Sequence, residues 1–188
     1  SETIGPLSGT GTVEVADGNT LTLQVDDDDT AKSHFKGQIE GAGGVTKTGA
    51  GTVRLDTTGD ATGNTFEDEF YVKEGEVQLV GGNSLGDDTD ARVEGALVIE
   101  TSETIGALRG EDGTGLITID LEQDLTVKVD ADDDASNNAT FDGKITGSGD
   151  LVKTGAGVLT LDNDNDDGTN PSAGSTSASD YTGETRIA

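Results

Sequence analysis

The sequence repeats itself, and this repeat constrains the fold more than any other feature. The pentapeptide Ser-Glu-Thr-Ile-Gly occupies residues 1–5 and again residues 102–106. The pentapeptide Lys-Thr-Gly-Ala-Gly occupies residues 47–51 and again residues 153–157. A long repeat of short strands and glycines is typical of a solenoid, in which each unit buries its apolar face only by stacking on the next. We therefore predict one domain, 1–188, built from two tandem copies: residues 1–101 and a truncated second copy, 102–188.

The composition supports a thin interior rather than a layered globule. Only 30% of the 188 residues are hydrophobic and 3% are aromatic, with no Cys, Met or Trp. Such a composition alone is typical of disordered chains. The apolar residues, however, alternate with polar ones in short runs separated by glycines, which is the pattern of half-buried strands. The pattern thus predicts an all-β fold with a narrow aliphatic core.

The alternating runs predict particular strands and particular core residues. The strands are expected at Thr12–Val15, Leu21–Val25, Thr52–Leu55, Glu76–Val80, Ala96–Glu100, Leu116–Leu121, Leu125–Val129 and Val158–Leu161. Since side chains of a strand alternate between its two faces, one residue in two should point inward. The expected core comprises Val13, Leu21, Leu23, Val25, Val53, Leu55, Ile117, Leu125, Val127, Val129, Leu159 and Leu161.

The charge excludes several partners. The chain carries 38 acidic and 11 basic residues, a formal net charge of −27. Nucleic-acid binding requires clustered Lys and Arg, so we expect no nucleic-acid partner. No stretch is apolar for long enough to cross a bilayer, and we expect no membrane insertion. Without cysteine the chain forms no disulfide.

A second motif is more specific and occurs twice in register. From Phe35 to Leu55, glycines and apolar residues recur at every second position. The motif residues are Phe35, Gly37, Ile39, Gly41, Gly43, Val45, Lys47, Thr48, Gly49, Gly51, Val53 and Leu55. The same alternation runs from Phe141 to Leu161, and Tyr181-Thr182-Gly183 follows it. This pattern resembles the strand repeat of autotransporter passenger domains (the passenger-associated transport repeat family). The resemblance implies a right-handed parallel β-helix, exported to the bacterial cell surface as a stalk, adhesin or display scaffold.

Three acidic clusters are candidate calcium sites. Calcium prefers six to eight oxygen ligands, which closely spaced carboxylates supply. The candidate ligands are Asp26, Asp27, Asp28, Asp29, Asp130, Asp132, Asp133, Asp134, Asp162, Asp164 and Asp166. The first two clusters occupy equivalent repeat positions, and we expect them at the same corner of the solenoid, one repeat apart. The third begins like an EF-hand loop, but Ala173 stands at the closing position. A solvated acidic surface explains the same residues without any cofactor.

Catalytic signals are weak. The chain has one histidine, His34, and no Gly-x-Ser-x-Gly motif. We expect His34 to be a surface residue. Parallel β-helices also occur in polysaccharide-acting enzymes, and for such an enzyme an aromatic-lined groove on one face would be the diagnostic feature. Phe35 and Phe141 occupy equivalent repeat positions, which favours stacking in the core over sugar binding.

The favoured hypothesis is a non-enzymatic, extracellular structural or adhesive β-solenoid on the bacterial surface. The alternative hypothesis is a calcium-dependent adhesin module. The third hypothesis is an enzyme that acts on polysaccharides. Expected partners are copies of the chain stacked end to end in a filament, further repeats of a longer chain, or a host or environmental surface. The filament hypothesis rests on the unpaired backbone groups that an uncapped solenoid presents at its ends.

Overall fold

The computed structural model describes residues 1–27, 33–59, 62–130, 139–162 and 179–188, and for Asp112 the backbone alone. Every regular element in these ranges is a strand, and all strand pairings are parallel. The chain winds as a β-solenoid, which confirms the predicted fold class. The strands are β1 (Glu2–Ile4), β2 (Thr12–Glu14), β3 (Thr20–Gln24), β4 (Ser33–Phe35), β5 (Gln38–Gly41), β6 (Gly44–Thr48), β7 (Thr52–Asp56), β8 (Thr65–Phe66), β9 (Phe70–Val72), β10 (Glu76–Val80), β11 (Ala91–Val93), β12 (Ala96–Ile99), β13 (Glu103–Ile105), β14 (Leu108–Ile119), β15 (Asp124–Lys128), β16 (Ala139–Gly147), β17 (Asp150–Thr154), β18 (Leu159–Asp162) and β19 (Thr185–Ile187).

The strands stack on three sides, which the chain visits in a constant order. The first side holds β1, β3, β6, β9, β11, the start of β14, the start of β16, and β18. The second side holds β4, β7, β10, β12 and the ends of β14 and β16. The third side holds β2, β5 and β8, followed by β13, β15, β17 and β19. Because β14 and β16 each run across a corner, the first two sides form one 12-stranded sheet, whereas the third is divided into sheets of three and four strands.

Ladders of aliphatic side chains fill the interior. On the second side, Leu55, Leu79 and Ile99 are stacked in register, and each is at most 1% exposed. Complete burial of such a side chain stabilises the fold by about 1.5–3 kcal/mol. Alternation of inward aliphatic and outward polar residues is therefore enough to form a core from few apolar residues.

Most predicted core residues are buried, but three are not. Val13 and Leu159 are only partly buried, and Leu161 is 38% exposed, so its predicted burial is wrong. Val13 lies on β2 and the two leucines lie on β18, and each of these strands pairs with a neighbour along one edge alone. Only one neighbouring coil therefore covers these side chains. Leu55, by contrast, has a coil stacked on each side of its strand.

The Lys-Thr-Gly-Ala-Gly pentapeptide builds a corner. Lys47 follows the inward alternation of β6 and is completely buried. Its ammonium group donates hydrogen bonds to the carbonyl oxygens of Thr48 at 2.8 Å, Gly49 at 2.6 Å and Glu74 at 3.1 Å. A lysine can thus be buried because carbonyl groups at the turn satisfy its charge. Lys153 repeats two of these bonds, to Thr154 at 2.7 Å and Gly155 at 2.6 Å.

The glycine inside this corner is required by the backbone. Gly49 has φ +76° and Gly155 has φ +75°, in the left-handed region that favours glycine. A Cβ at either position would also come within 2.5 Å of a carbonyl oxygen of the previous coil, that of Val25 or Val129. The motif therefore has a structural role at both occurrences.

One expectation about the repeat is wrong. Val25 follows β3 on the first side, whereas Val129 follows β15 on the third. Asp26 and Asp130, the first residues of the two acidic clusters, consequently lie at different corners, not at the same one; the rest of each cluster, apart from Asp27, lies outside the described residues. The reason is that one repeat does not contain a whole number of coils, so each strand of the second copy lies one side away from its equivalent in the first. β1 and β13 differ in the same way.

Candidate functional site at the interrupted third side

The strand ladder of the third side is interrupted between β8 and β13. Residues 81–90 pass this side without forming a strand. A surface groove of about 530 Å³ lies here, lined by Asn64, Phe66, Glu67 and residues within 83–89. Phe66 lines the groove, but its side chain is only 1% exposed, so the ring is not accessible from the groove. Within the described ranges, this interruption is where the regular stacking of strands on the third side is broken.

Side chains replace the missing backbone ladder. Asn64 accepts a hydrogen bond from the Ile39 N–H at 2.7 Å and donates one to the Ser84 carbonyl oxygen at 2.8 Å. On the next coil, the two carboxylate oxygens of Glu103 accept the N–H groups of Ser84 at 3.0 Å and Leu85 at 3.1 Å. Buried backbone groups need such partners. An amide and a carboxylate therefore join the two smaller sheets.

The environment of Glu103 is unusual for a carboxylate. Its side chain is buried, with 2% exposure. Burial raises the pKa of Glu103 to about 7, and the charge of Asp87 acts in the same direction. The Leu85 and Ser84 N–H groups favour the carboxylate and lower the pKa, but burial has the larger effect. Glu103 is thus a titratable group near neutral pH inside the solenoid.

A charged stripe lies beside the groove on the first side. Tyr71, Arg92 and Arg109 are aligned on three successive coils. The Arg92 guanidinium lies 4.7 Å from the centre of the Tyr71 ring and pairs with Glu94 at 2.5 Å. The Tyr71 hydroxyl donates to Glu94 as well. Arg109 pairs with Asp90 at 2.5 Å, so the stripe is a network of paired charges along the axis.

The structure describes only some of the candidate calcium ligands. Asp26 and Asp27 are exposed after β3, near enough to Lys47 for their charges to raise its pKa, although burial is the larger effect and lowers it. Asp130 lies 3.5 Å from Lys128, and Asp162 ends β18. Among the described residues no three His, Asp or Glu side chains converge on one point. Outside the described residues lie Asp28, Asp29, Asp132, Asp133, Asp134, Asp164 and Asp166.

The lone histidine has a defined partner. His34 Nε2 lies 2.9 Å from Asp56 Oδ2 on the next coil, and Lys36 lies 3.4 Å from the same oxygen. Burial alone would raise the pKa of Asp56, but hydrogen bonds from Thr58 and His34 and the charge of Lys36 hold it well below its usual range. His34 is a partly exposed member of an ion-paired cluster on the second side.

The aromatic residues mostly lie in the interior. Phe35 and Phe141 are buried at 3% and 1% exposure, as their equivalent repeat positions predicted. Phe66 and Phe70 are buried against each other, with ring centres 6.0 Å apart. These four rings stabilise the core and are themselves inaccessible to a sugar, whereas Tyr71 and Tyr181 are partly exposed.

Sequence reasoning missed the ladder of Asn64, Ser84 and Glu103. The available signal was the alternation of β13, which places Glu103 on the same face as the aliphatic Ile105. An acidic residue at an inward position indicates a buried carboxylate with partners. Its partners, the N–H groups of Ser84 and Leu85, could not be predicted from the sequence, because they belong to a segment without strand periodicity.

The fold and the doubled motif define a β-solenoid of the autotransporter passenger type, as the resemblance implied. Over 171 residues the chain is 33% identical to the Adhesin BmaC autotransporter of Brucella suis biovar 1 (strain 1330), and the match covers 84% of this chain and 5% of that protein. The chain therefore spans a small part of the length of this relative. No protein-family profile and no solved structure matches the chain. None of the described residues forms a helix long and apolar enough to span a bilayer.

Proposed function

We propose that this chain is a non-enzymatic rod segment of a bacterial surface adhesin, displayed outside the cell. In this role the solenoid holds adhesive regions away from the surface and contributes acidic, solvated faces of its own. The function is mechanical, and it needs a continuous axis rather than a reactive centre.

The observation that carries this proposal is the continuity of the coil-to-coil contacts. Backbone ladders run along the first two sides, and on the third side Asn64 and Glu103 bridge the one interruption seen in the described residues. In a stacked array each coil contacts only its neighbours, so one unbridged coil would weaken the rod locally. The similarity to an autotransporter adhesin supports the same role.

Surface display of the chain tests the proposal. The chain is placed between an export signal and a translocating barrel in a bacterial host, and intact cells are treated with antibody and protease. We expect the chain to be accessible to antibody and resistant to protease. Leu23→Asp serves as the unfolded control and should be degraded. A chain that folds but stays inside the cell would contradict the proposal.

End-to-end association of copies is a second route to a continuous rod. The last coil presents apolar side chains to solvent: Val158 is 56% exposed, Leu161 38% and Ile187 83%. A head-to-tail contact of this kind need not close into a ring and can extend as a filament. Light scattering and negative-stain microscopy at high protein concentration test this. A monodisperse monomer, with and without calcium, would exclude it.

A further inference from the structure

The first half of the segment 81–90 is held to the following coil by one ionisable side chain. Ser84 and Leu85 donate their N–H groups to the two carboxylate oxygens of Glu103, at 3.0 and 3.1 Å. No strand ladder supplements these two bonds, because the segment passes the third side without forming a strand. The attachment of this part of the segment therefore depends on the state of Glu103.

The other two sides of the same coil keep their backbone ladders. On the first side β9 pairs with β11, on the second side β10 pairs with β12, and both ladders continue into β14. The Ala96 and Glu100 N–H groups, for example, donate to carbonyl oxygens of the preceding coil at 2.8 and 3.1 Å. A segment held by few bonds opens at a lower free energy than such a ladder. The third side can therefore open here while the rod stays continuous.

The segment separates Glu103 from water. Glu103 is 2% exposed, and Ser84 and Leu85 are at most 1% exposed. Leu85 also lines the surface groove of about 530 Å³, so solvent lies on the other side of the segment. A displacement of residues 81–90 would consequently bring water to the Glu103 carboxyl group.

The charges around Glu103 do not compensate a negative charge on it. The charged residues of the neighbouring elements are Asp87, Asp88 and Asp90 of the segment, and Asp124 and Lys128 at the ends of β15. Lys128, the one cation of this set, pairs with Asp88 at 2.6 Å. Burial and the charge of Asp87 raise the pKa of Glu103 to about 7, against the opposite effect of the two N–H donors. In the closed segment an ionised Glu103 is therefore a buried charge without a cation, which is costly.

We infer that Glu103 is a pH-sensitive switch: residues 81–90 stay closed while its carboxyl group is protonated and open locally once it is ionised. Burial favours the neutral carboxyl in the closed segment, whereas water solvates the carboxylate in the open one. The pKa of Glu103 is about 7 in the closed segment and returns toward its ordinary 4.5 in the open one. Opening should thus become easier as pH rises from about 4.5 to about 7, and stay constant above. The switch goes beyond the proposed rod function, which requires only a continuous axis.

Hydrogen–deuterium exchange of the whole chain at pH 5, 6, 7 and 8 measures this opening. Each observed rate is divided by the intrinsic rate of the unstructured amide at the same pH, which leaves a protection factor. The Ser84 and Leu85 amides report on the segment. The Ala96 and Glu100 amides report on the ladder of the same coil and serve as the internal reference.

Three variants assign the effect to its group. Glu103→Gln keeps the shape of the side chain and is neutral at every pH. Glu14→Gln is the matched control, because it makes the same change at an exposed glutamate of β2. Asp87→Asn changes an exposed residue and removes the like charge that acts on Glu103.

In the parent chain we expect the protection of Ser84 and Leu85 to fall on the order of 100-fold between pH 5 and pH 8, the change that the two pKa values of Glu103 imply. The reference amides should keep their protection. The fall should disappear in Glu103→Gln, remain in Glu14→Gln, and be smaller in Asp87→Asn because the pKa of Glu103 is then less raised.

Four results would overturn the inference, and the first needs no variant. Equal protection of Ser84 and Leu85 at pH 5 and pH 8 would show that there is no switch. Protection that rises with pH would show that the carboxylate, not the acid, holds the segment closed. A parallel loss at Ala96 and Glu100 would show general destabilisation instead of local opening. A fall that persists in Glu103→Gln would assign the effect to another group.

Discussion

Glu103 and Ser84 lie on consecutive coils of the third side, and the Glu103 carboxylate accepts the Ser84 N–H at 3.0 Å where no strand pairing exists. The same carboxylate accepts the Leu85 N–H at 3.1 Å.

Glu103→Ala should lower the free energy of unfolding by about 1–3 kcal/mol, because two buried N–H groups lose their acceptor. Denaturant titration measures this. Glu14→Ala removes the same charge from the surface and should have little effect. Equal stability of the two variants would contradict the bridging role.

The stability of the protein should depend on pH through Glu103. Its pKa is raised to about 7 in the folded chain from an ordinary value of 4.5. In this window the folded state holds a proton that the unfolded state has released, so this contribution to stability falls as pH rises from about 4.5 to about 7 and is constant above. Melting curves at several pH values should show the decrease, and Glu103→Gln should reduce it. A Glu103→Gln profile identical to that of the parent would refute the assignment.

The two motif lysines should differ in their effect on stability. Lys47→Met leaves three carbonyl groups without their donor, and we expect a loss of about 1–3 kcal/mol. Lys153 makes two such bonds in a partly exposed position, so Lys153→Met should cost less. Chemical denaturation of the two matched variants tests the difference. If Lys153→Met were the more destabilising of the two, the burial argument would be wrong.

The aliphatic ladder should be sensitive to a cavity. Leu79→Ala removes a completely buried side chain between neighbouring coils and should destabilise by about 2–5 kcal/mol. Leu121→Ala is the control, because Leu121 is 69% exposed, and such surface changes usually stay within about 0.5 kcal/mol. Equal melting temperatures for the two variants would show that the ladder does not form.

Calcium binding at the acidic corners stays a prediction. If the clusters that begin at Asp26 and Asp130 bind the ion, calcium should raise the melting temperature more than sodium at equal ionic strength, since a ligand of the folded state stabilises it by mass action. Isothermal titration calorimetry gives the stoichiometry. Identical melting curves in the two salts would leave a solvated acidic surface as the explanation.

Much of the coil-level structure could be read from the sequence. Alternation predicted that Leu23 and Leu55 point inward, because the side-chain period of a strand is a local property. The paired motifs predicted equivalent corners around Lys47 and Lys153, since the same residues form the same turn. The end effects at Val13 and Leu161 were not predicted, because burial depends on whether a neighbouring coil covers both edges of a strand.

By itself the sequence determined that the chain is a solenoid, that its core is aliphatic, and that a corner motif occurs twice. Only the tertiary structure decided on which side each copy lies and which polar groups meet between coils. The side on which each strand of the second copy falls depends on the summed length of all strands and corners before it. For this reason the second copy is shifted by one side, and β13 lies on the third side while β1 lies on the first. That shift, and the unpaired segment it brings alongside, surround Glu103 with the N–H groups of Ser84 and Leu85.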